Sequence, residues 1–366
     1  MKTDRDFLSF SMLANASVRS MEPEDNEKEK LRQIACALGG EKLKSMSVKA
    51  KMLPFLAKLL LCLDIDKPYW QTVYDRYADR NRKVLQQLHS VYEQLHAAGC
   101  KKVFVSENFG AMLASGSDIA LFASGDIDNY ADAAEYPLIK QTLLSCGYTC
   151  EERFAGNLFV SATFENPGVL PEGFAVGFEV FPLSRLTQPC TVCADDFVDW
   201  DRLRTYQDTQ ITLPPADALL YICLLHISLH SFCRAPAIRL YRDIVNSAEG
   251  ITDKDWQRIV SWAKRDRTER RAYTAAAVSN EIAGTKLCVP TEPDCSRLLG
   301  LTFDRQHKIL RPEPSKLRVM KIEAACNDSS LTAGFRDMIF PAKEWMDAVY
   351  GGHNGRLRIR HIRRIL

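Results

Sequence analysis

A chain of 366 residues, 46% hydrophobic and 26% charged, has the makeup of a globular protein long enough for two or three packed domains. The formal net charge of +2 gives no global attraction for nucleic acid or anionic lipid, and the absence of low-complexity tracts and repeats excludes disordered and solenoid architectures. Twelve scattered cysteines, among them Cys36, Cys62 and Cys223 within apolar helical stretches, read as reduced core residues of a cytosolic protein.

Met1 to Met21 mixes acids and polar residues among its apolar ones and lacks the basic start, apolar centre and small-residue cleavage site of a secretory signal, so a cytoplasmic location is expected. The acidic, mixed-charge stretch Glu22 to Lys30 reads as a flexible lead-in. From about residue 27 to 99 the chain reads as helices. The most apolar run, Leu53 to Leu63, is broken by Pro54 and Lys58 and is far shorter than the ~20 residues that span a bilayer. Asp79 to Ala98 is the clearest helix, with Val84, Leu85, Leu88, Val91, Tyr92 and Leu95 at helical spacing and Gly99 as its C-cap.

The period then changes. Lys102 to Ser106 predicts a short strand, Asn108 to Ser115 a helix, and Ile119 to Asp128 an extended return. Within that return lies the most informative stretch, Ser124-Gly125-Asp126-Ile127-Asp128. Successive strand side chains alternate between faces, so Asp126 and Asp128 share one side while Ile127 enters the core. Two ionised acids side by side in a partly dry cleft repel each other unless a cation sits between them, and magnesium, which prefers carboxylate oxygen, suits that place. A solvated Asp-rich turn is the plainer alternative.

Glu135 to Cys146 predicts a helix that stops at Gly147, with Leu138, Ile139, Leu143 and Leu144 as its apolar side. Asn157 to Phe164 and Phe174 to Leu183 predict two strands that pair antiparallel across the Pro/Gly-containing connection Asn166 to Gly173. In the second strand Val176, Phe178 and Val180 face one way and Glu179 the other, so a mixed sheet would bring Glu179 beside Asp126 and Asp128. Cys190-x-x-Cys193 lacks the second pair that a structural zinc site wants, the nearest offering being Cys146 and Cys150.

From about Pro215 the chain turns helical. Asp217 to Phe232 is apolar nearly all round, the pattern of a buried helix, with His226 and His230 four apart on one face; Arg239 and Asp243 share that spacing on the next helix. The histidines read as core residues or as support behind a site, with a zinc pair the other reading. The Arg239–Asp243 pair reads either as a helical ion pair or as a phosphate-binding arginine with its neighbour. Further helices follow through Tyr350, with a Pro-rich interruption at Arg311 to Ser315. The tail from Arg356 to Arg364 reads as a solvated helix face or edge strand ahead of a phosphate-binding arm. The expected class is α+β: a small mixed-sheet core over 100–200, flanked by an N-terminal helical region over 1–99 and a C-terminal helical domain over 201–366.

Three carboxylates from two strands, preceded by a glycine-containing helix start, are the parts of a two-metal phosphoryl-transfer site. Paired Mg²⁺ ions about 3.5–4 Å apart lower the pKa of an attacking hydroxyl and neutralise charge on the leaving pyrophosphate, and backbone N–H groups at a helix N-terminus hold the triphosphate. The arrangement resembles the nucleotidyltransferase fold shared with DNA polymerase beta, in which a Gly-Gly or Gly-Ser pair precedes the Asp-x-Asp strand. Leu219 to His230, then Ile238-Arg239-Leu240-Tyr241-Arg242-Asp243-Ile244, narrow the likeness. They resemble a bacterial family of uncharacterised nucleotidyltransferases typified by Gly-Asp-Ile-Asp-Leu, a histidine-bearing helix and Arg-Leu-x-x-x-Asp-Ile. Phe340-Pro341, Tyr350-Gly351 and the final Arg-rich residues are similar to its closing elements, so the likeness spans roughly residue 70 to the end.

The resemblance implies a nucleotidyltransferase core in which Asp126, Asp128 and Glu179 bind metal and carry catalysis, with Glu179 the candidate general base. It implies nucleotide contacts from Gly110, Gly116, Ser117, Ser124, Gly125, His226, Arg239 and Asp243. It also implies two Mg²⁺ ions and an NTP substrate, with ATP the default donor and a small molecule, peptide or protein as acceptor. The chain departs from the family at three places. Phe109-Gly110 stands where most members have Lys-Gly, Phe122 stands near the usual arginine, and Asn129 replaces a leucine. Gly116-Ser117 is a second glycine element at nearly the spacing of the wider superfamily. Two functions are therefore expected to compete: a Mg²⁺-dependent nucleotidyltransferase, and a degenerate module of the same fold that binds a nucleotide or a partner without turnover. Nucleic-acid modification through the Arg-rich tail ranks below both, given the near-neutral charge.

Overall fold

Helices carry the first hundred residues, as the periodicity predicts, and one of them begins where a flexible lead-in was expected. The structure, a computed structural model, describes residues 5–19, 22–155, 158–166, 177–182, 197–289, 295–327, 332, 335–336, 339–341 and 343–365, with the backbone alone over 177–182. The helices are α1 (Arg5–Arg19), α2 (Asp25–Leu38), α3 (Gly40–Lys49), α4 (Leu53–Cys62) and α5 (Lys67–Ala97). The acidic stretch is the first turn of α2, not a lead-in: Asp25 and Glu27 sit against the positive end of the helix dipole, and Lys28 pairs with Asp25 at 2.8 Å. The last turn of α5 is followed by Gly99 at φ +98, the backbone state that a residue without Cβ adopts at least cost. Of the cysteines named above, Cys223 is buried, whereas Cys36 is exposed on α2 and is not a core residue.

The central sheet is built from β1 (Val103–Val105), β2 (Asp126–Ala131), β3 (Thr149–Ala155), β4 (Leu158–Glu165) and β5 (Gly177–Pro182), in the order β1-β2-β5-β4-β3. β2 and β5 run parallel and the other pairs antiparallel, so the sheet is mixed as expected. The two acids open their strand; they do not close it. Asp118 accepts from the Ala120 N–H and caps a short 3₁₀ turn at Ile119–Leu121, and the chain becomes extended from Asp126 on. β3 escaped prediction because its middle, Glu151-Glu152-Arg153, has no apolar alternation. It is an edge strand of the sheet, where charge is tolerated and protects an open ladder.

α6 (Glu107–Ser115) crosses back between β1 and β2, and α7 (Tyr136–Ser145) joins β2 to β3. The apolar side of α7 is narrower than its sequence suggests: Ile139 and Leu143 are buried, Leu138 and Leu144 are not. Gly110, inside α6, lets the helix lie on the strand before it, since a Cβ there would meet the Val105 carbonyl oxygen at 2.6 Å and its carbon at 2.9 Å. Backbone cannot give way as a flexible side chain does. Gly110→Ala is therefore expected to cost about 2 kcal/mol or more, from overpacking alone, and to lower the urea midpoint without changing its slope.

The second half is helical: α8 (Ala216–Leu229), α9 (Ala237–Ala248), α10 (Asp253–Arg265), α11 (Glu269–Ala283), α12 (Ser296–Thr302), α13 (Lys316–Asn327), α14 (Lys343–Tyr350) and α15 (Gly355–Ile365). Two small hairpins, β6 (Arg204–Thr205) with β7 (Thr212–Leu213) and β8 (Phe303–Asp304) with β9 (Ile309–Leu310), lie among them. α8 is buried along nearly its whole length, as its uniform apolarity predicts, and packs against α9, α10 and α11. α6 packs on both α8 and α9, and α1 reaches across to α9 and α11. The Arg-rich tail is a helix, not an edge strand. No helix among the described residues is long and apolar enough to cross a membrane.

Candidate active site

β2 fixes the two aspartates by simple alternation. Ile127 between them is fully buried, and Asp126 and Asp128 line a cleft of about 290 Å³ on the other side. Each carboxylate is oriented by a neighbour. The Ser124 hydroxyl donates to Asp126 Oδ1, and Asn108 Nδ2 donates to Asp128 Oδ2 at 3.4 Å. The Ser106 N–H donates to the Asp128 carbonyl at 2.8 Å, tying the start of α6 to the middle of β2. Glu179 lies directly opposite Asp128 in the parallel β2–β5 register, and its side chain is outside the described residues. Among the described residues no group of three or more His, Cys, Asp or Glu side chains is placed to hold a metal. Cys190 and Cys193 lie outside the described residues.

Helices from both halves of the chain and the far strands of the sheet close the cleft. The first turn of α6 supplies Glu107 and Asn108, the end of α8 supplies His226 and Leu229 with His230 just beyond, and α9 supplies Arg239. Lys51, just after α3, and Arg153 of β3 bring two more cations. His226 Nδ1 lies 2.7 Å from Glu107 Oε2, and the His226 and His230 rings are 5.2 Å apart. The Arg239 and Asp243 charges are 3.8 Å apart with both side chains about 5% exposed, so this is a buried pair and not the surface helix pair its spacing suggests. Neither Arg239 Nε nor Asp243 Oδ2 has a hydrogen-bond partner among the described residues. Burial pushes the Asp243 carboxyl up to about 6, against the opposing pull of Arg239 and His226.

The predicted residues thus divide. Ser124, Asp126, Asp128, His226 and Arg239 line one cleft, with Gly125 between the first two in sequence and Asp243 behind Arg239. Gly110, Gly116 and Ser117 do not line it. Gly110 is used for packing on β1, Gly116 ends α6 at φ +64, and the Ser117 hydroxyl donates to Asn246 Oδ1 at 3.1 Å.

The two aromatic departures explain each other. Phe109 and Phe122 are both buried, their ring centroids 4.7 Å apart edge to face, so the positions where the resembling family carries cations here form an apolar contact. The arginine of this region comes from α5. Arg80, 4% exposed, donates to the Phe122 carbonyl at 3.2 Å and to the Ser124 carbonyl, with its guanidinium 5.3 Å from the Phe122 ring. Beside it Asn81 donates to the carbonyls of Ile119 at 2.7 Å and Phe122 at 3.0 Å. Asn129, the third departure, accepts from the Tyr92 hydroxyl of α5 at 3.0 Å.

Sequence reasoning missed Glu107, Lys51, Arg153 and the Arg80–Asn81 pair. The last had a faint signal, two polar residues on the apolar stripe of a long helix. The others had none, because they reach the cleft from distant segments.

Burial, helped by the charges of His226 and Arg234, lowers His230 to about 4 from its ordinary 6.5. A depressed folded-state value means that the stability it confers is complete above pH 6.5 and is lost as the pH falls from there through 4. Asp243 runs the other way, its raised value favouring the fold below pH 3.8 and losing that contribution as the pH rises through 6. Between pH 7 and 4.5 the His230 share is expected to be at most about 2 kcal/mol after allowance for partial exposure. Urea midpoints across that range should show His230→Gln losing less stability on acidification than the parent chain.

No curated protein matches the chain. Among solved structures, that of the antibiotic-resistance factor ANT(2'')-Ia, described as undergoing substrate-regulated conformation dynamics in solution, is 10% identical with a TM-score of 0.35, over 54% of this chain and 98% of its own. The family model described as uncharacterised nucleotidyltransferase matches residues 45–284, well over half of the chain and including both aspartates, the α6 turn and the α8–α9 pair. The chain belongs to this nucleotidyltransferase family.

Proposed function

We propose that the chain is a Mg²⁺-dependent nucleotidyltransferase that moves a nucleoside monophosphate from an NTP, with ATP the default donor, to a hydroxyl or phosphate of an acceptor. The observation that carries this reading is the convergence of Asp126, Asp128 and Arg239 on one cleft in a chain of this family. The donor set suits magnesium: two oriented carboxylates and, beside them, the Asn108 amide oxygen, buried without a hydrogen-bond partner among the described residues. Asp126 and Asp128, with Glu179 as third carboxylate from the adjoining register position, would hold the metal, which when bound polarises the phosphoryl group and acidifies the attacking hydroxyl.

The remaining work falls to the chain's own side chains. Ser124 and Asn108 keep the two carboxylates turned to the cleft. Arg239 and Lys51 offer positive charge to the phosphates from opposite segments, the former with a buried Nε–H that a phosphate oxygen would satisfy. Lys51 and Arg153, two cations beyond the family's Arg239, offer positive charge in place of the lysine and arginine that Phe109 and Phe122 replace, which favours the enzyme over the degenerate binding module. The test is incubation with each α-labelled NTP, Mg²⁺ and a cell extract. Label transfer with pyrophosphate release that disappears in Asp126→Asn and Asp128→Asn supports the enzyme. Calorimetric nucleotide binding without pyrophosphate release would establish the module instead.

A further inference from the structure

Resting on that reading of the cleft, we propose that His226, oriented by Glu107, is the base that takes the proton from the acceptor hydroxyl. Glu107 is the first residue of α6 and holds φ at +49, a backbone state that a non-glycine residue adopts at a cost and keeps only where its surroundings enforce it. What enforces it is visible. The side chain is about 4% exposed and both of its oxygens are engaged: Oε1 accepts from the Tyr130 hydroxyl at 3.0 Å, and Oε2 lies 2.7 Å from His226 Nδ1. Tyr130 stands on β2 two residues beyond Asp128, so one strand carries both aspartates and the anchor of this pair.

A buried carboxylate facing Nδ1 selects the tautomer with its hydrogen on Nδ1 and leaves the Nε2 lone pair for whatever enters the cleft. His226 keeps 17% of its side chain exposed and lines the cleft together with Asp126 and Asp128. The other charged or titratable groups of the cleft are His230 from its own chain segment, Arg239 of α9 with Asp243 behind it, Asp126 and Asp128 of β2, Arg153 of β3 and Lys51. Arg239 and Asp243 largely compensate each other, and among the described residues Glu107 is the charged group paired with the ring, at 2.7 Å from Nδ1.

In the step itself, the acceptor oxygen forms a bond to the α-phosphorus as its proton passes to Nε2. The bond from that phosphorus to pyrophosphate breaks, and pyrophosphate leaves with the electron pair. The imidazolium stays paired with Glu107 and returns its proton to solvent. Glu179 is thereby left as a metal carboxylate, and the base comes from the helical half of the molecule. Glu107 is a positioning residue: it touches the ring and not the substrate.

Two measurements test this on the full chain. Long-range ¹H–¹⁵N correlation of ¹⁵N-histidine-labelled protein at pH 7.5, assigned with His226→Asn, should show His226 protonated on Nδ1 and bare on Nε2. Glu107→Gln should shift it toward the Nε2–H form. With labelled NTP, Mg²⁺ and cell extract, His226→Asn should lower the rate of pyrophosphate release about 100-fold or more, with the nucleotide KM within about threefold, and added imidazole should restore part of the rate to His226→Ala. A doubly protonated or Nε2-protonated ring, or a His226→Asn rate within threefold of the parent, overturns the base assignment and leaves nucleotidyl transfer standing. A parent chain that releases no pyrophosphate with any NTP overturns transfer and the base together.

Discussion

Replacing Asp128 with asparagine is expected to cut label transfer about 1,000-fold while leaving the melting temperature nearly unchanged. The substitution preserves shape, and the new amide oxygen can still accept from Asn108 Nδ2, now 3.4 Å from the carboxylate. What disappears is one of two negative charges that face the cleft from adjacent same-side positions of β2. On the proposed function that charge would help hold a divalent ion, and electrostatic stabilisation of this kind carries much of the catalysis in phosphoryl transfer. Asp126→Asn should behave alike, with Ser124 still donating to the amide oxygen. Transfer assayed with labelled NTP, beside thermal unfolding of each variant, checks both halves of the claim. A variant that keeps more than a tenth of the activity would move the reaction away from β2.

The largest stability loss is expected at Arg80, which does not line the cleft. Arg80→Met keeps the stem of the side chain and removes the guanidinium that donates to the carbonyls of Phe122 and Ser124, the loop that delivers Asp126 to its strand. Burial pulls this guanidinium below its ordinary pKa, with Tyr77 and Asp126 opposing, so it occupies a place where loss of a hydrogen-bonding partner is expensive. Two buried carbonyls losing charge-assisted bonds should cost about 3 kcal/mol, read as a lower urea midpoint. Asn81 still holds Ile119 and Phe122, so the chain should fold, but with Ser124 and Asp126 less fixed and transfer slowed. Arg82→Met is the control. Its 2.7 Å pair with Asp79 is about two-thirds exposed at both ends and is expected to be worth less than about 0.5 kcal/mol.

Strong periodicity made α5, α6, α7 and the buried α8 legible, and the strict two-residue alternation of Asp126-Ile127-Asp128 gave the face of the acids before any coordinate. The antiparallel pairing of β4 with β5 also followed from the Pro/Gly connection, and the Glu179 backbone lies opposite Asp128 in the mixed sheet. Elements governed by tertiary context were not legible. β3 is polar because it is an edge, and α2 begins with charges because charges suit a helix start. The glycines near the acids read as phosphate cradles, yet Gly110 answers to a strand carbonyl and Gly116 to a helix end. Phe109 and Phe122 read as lost cations because each was compared with the family alone. Their mutual contact, and the arrival of Arg80, Lys51 and Arg153 from remote segments, cannot be read from local sequence.

The reach of α1 across the molecule bears on how the polypeptide can be shortened. α1 ends before residue 45, where the family match begins, yet Arg242 of α9 donates to the Val18 carbonyl at 2.9 Å and Asn15 donates to the Lys308 carbonyl at 2.7 Å. Phe10, Leu13 and Val18 belong to the same buried cluster as Leu240 and Ile244. Trimming the protein to its family boundaries would strip an apolar cover from the helix that bears Arg239, so the stretch that the family model matches and the unit that buries its own core have different edges.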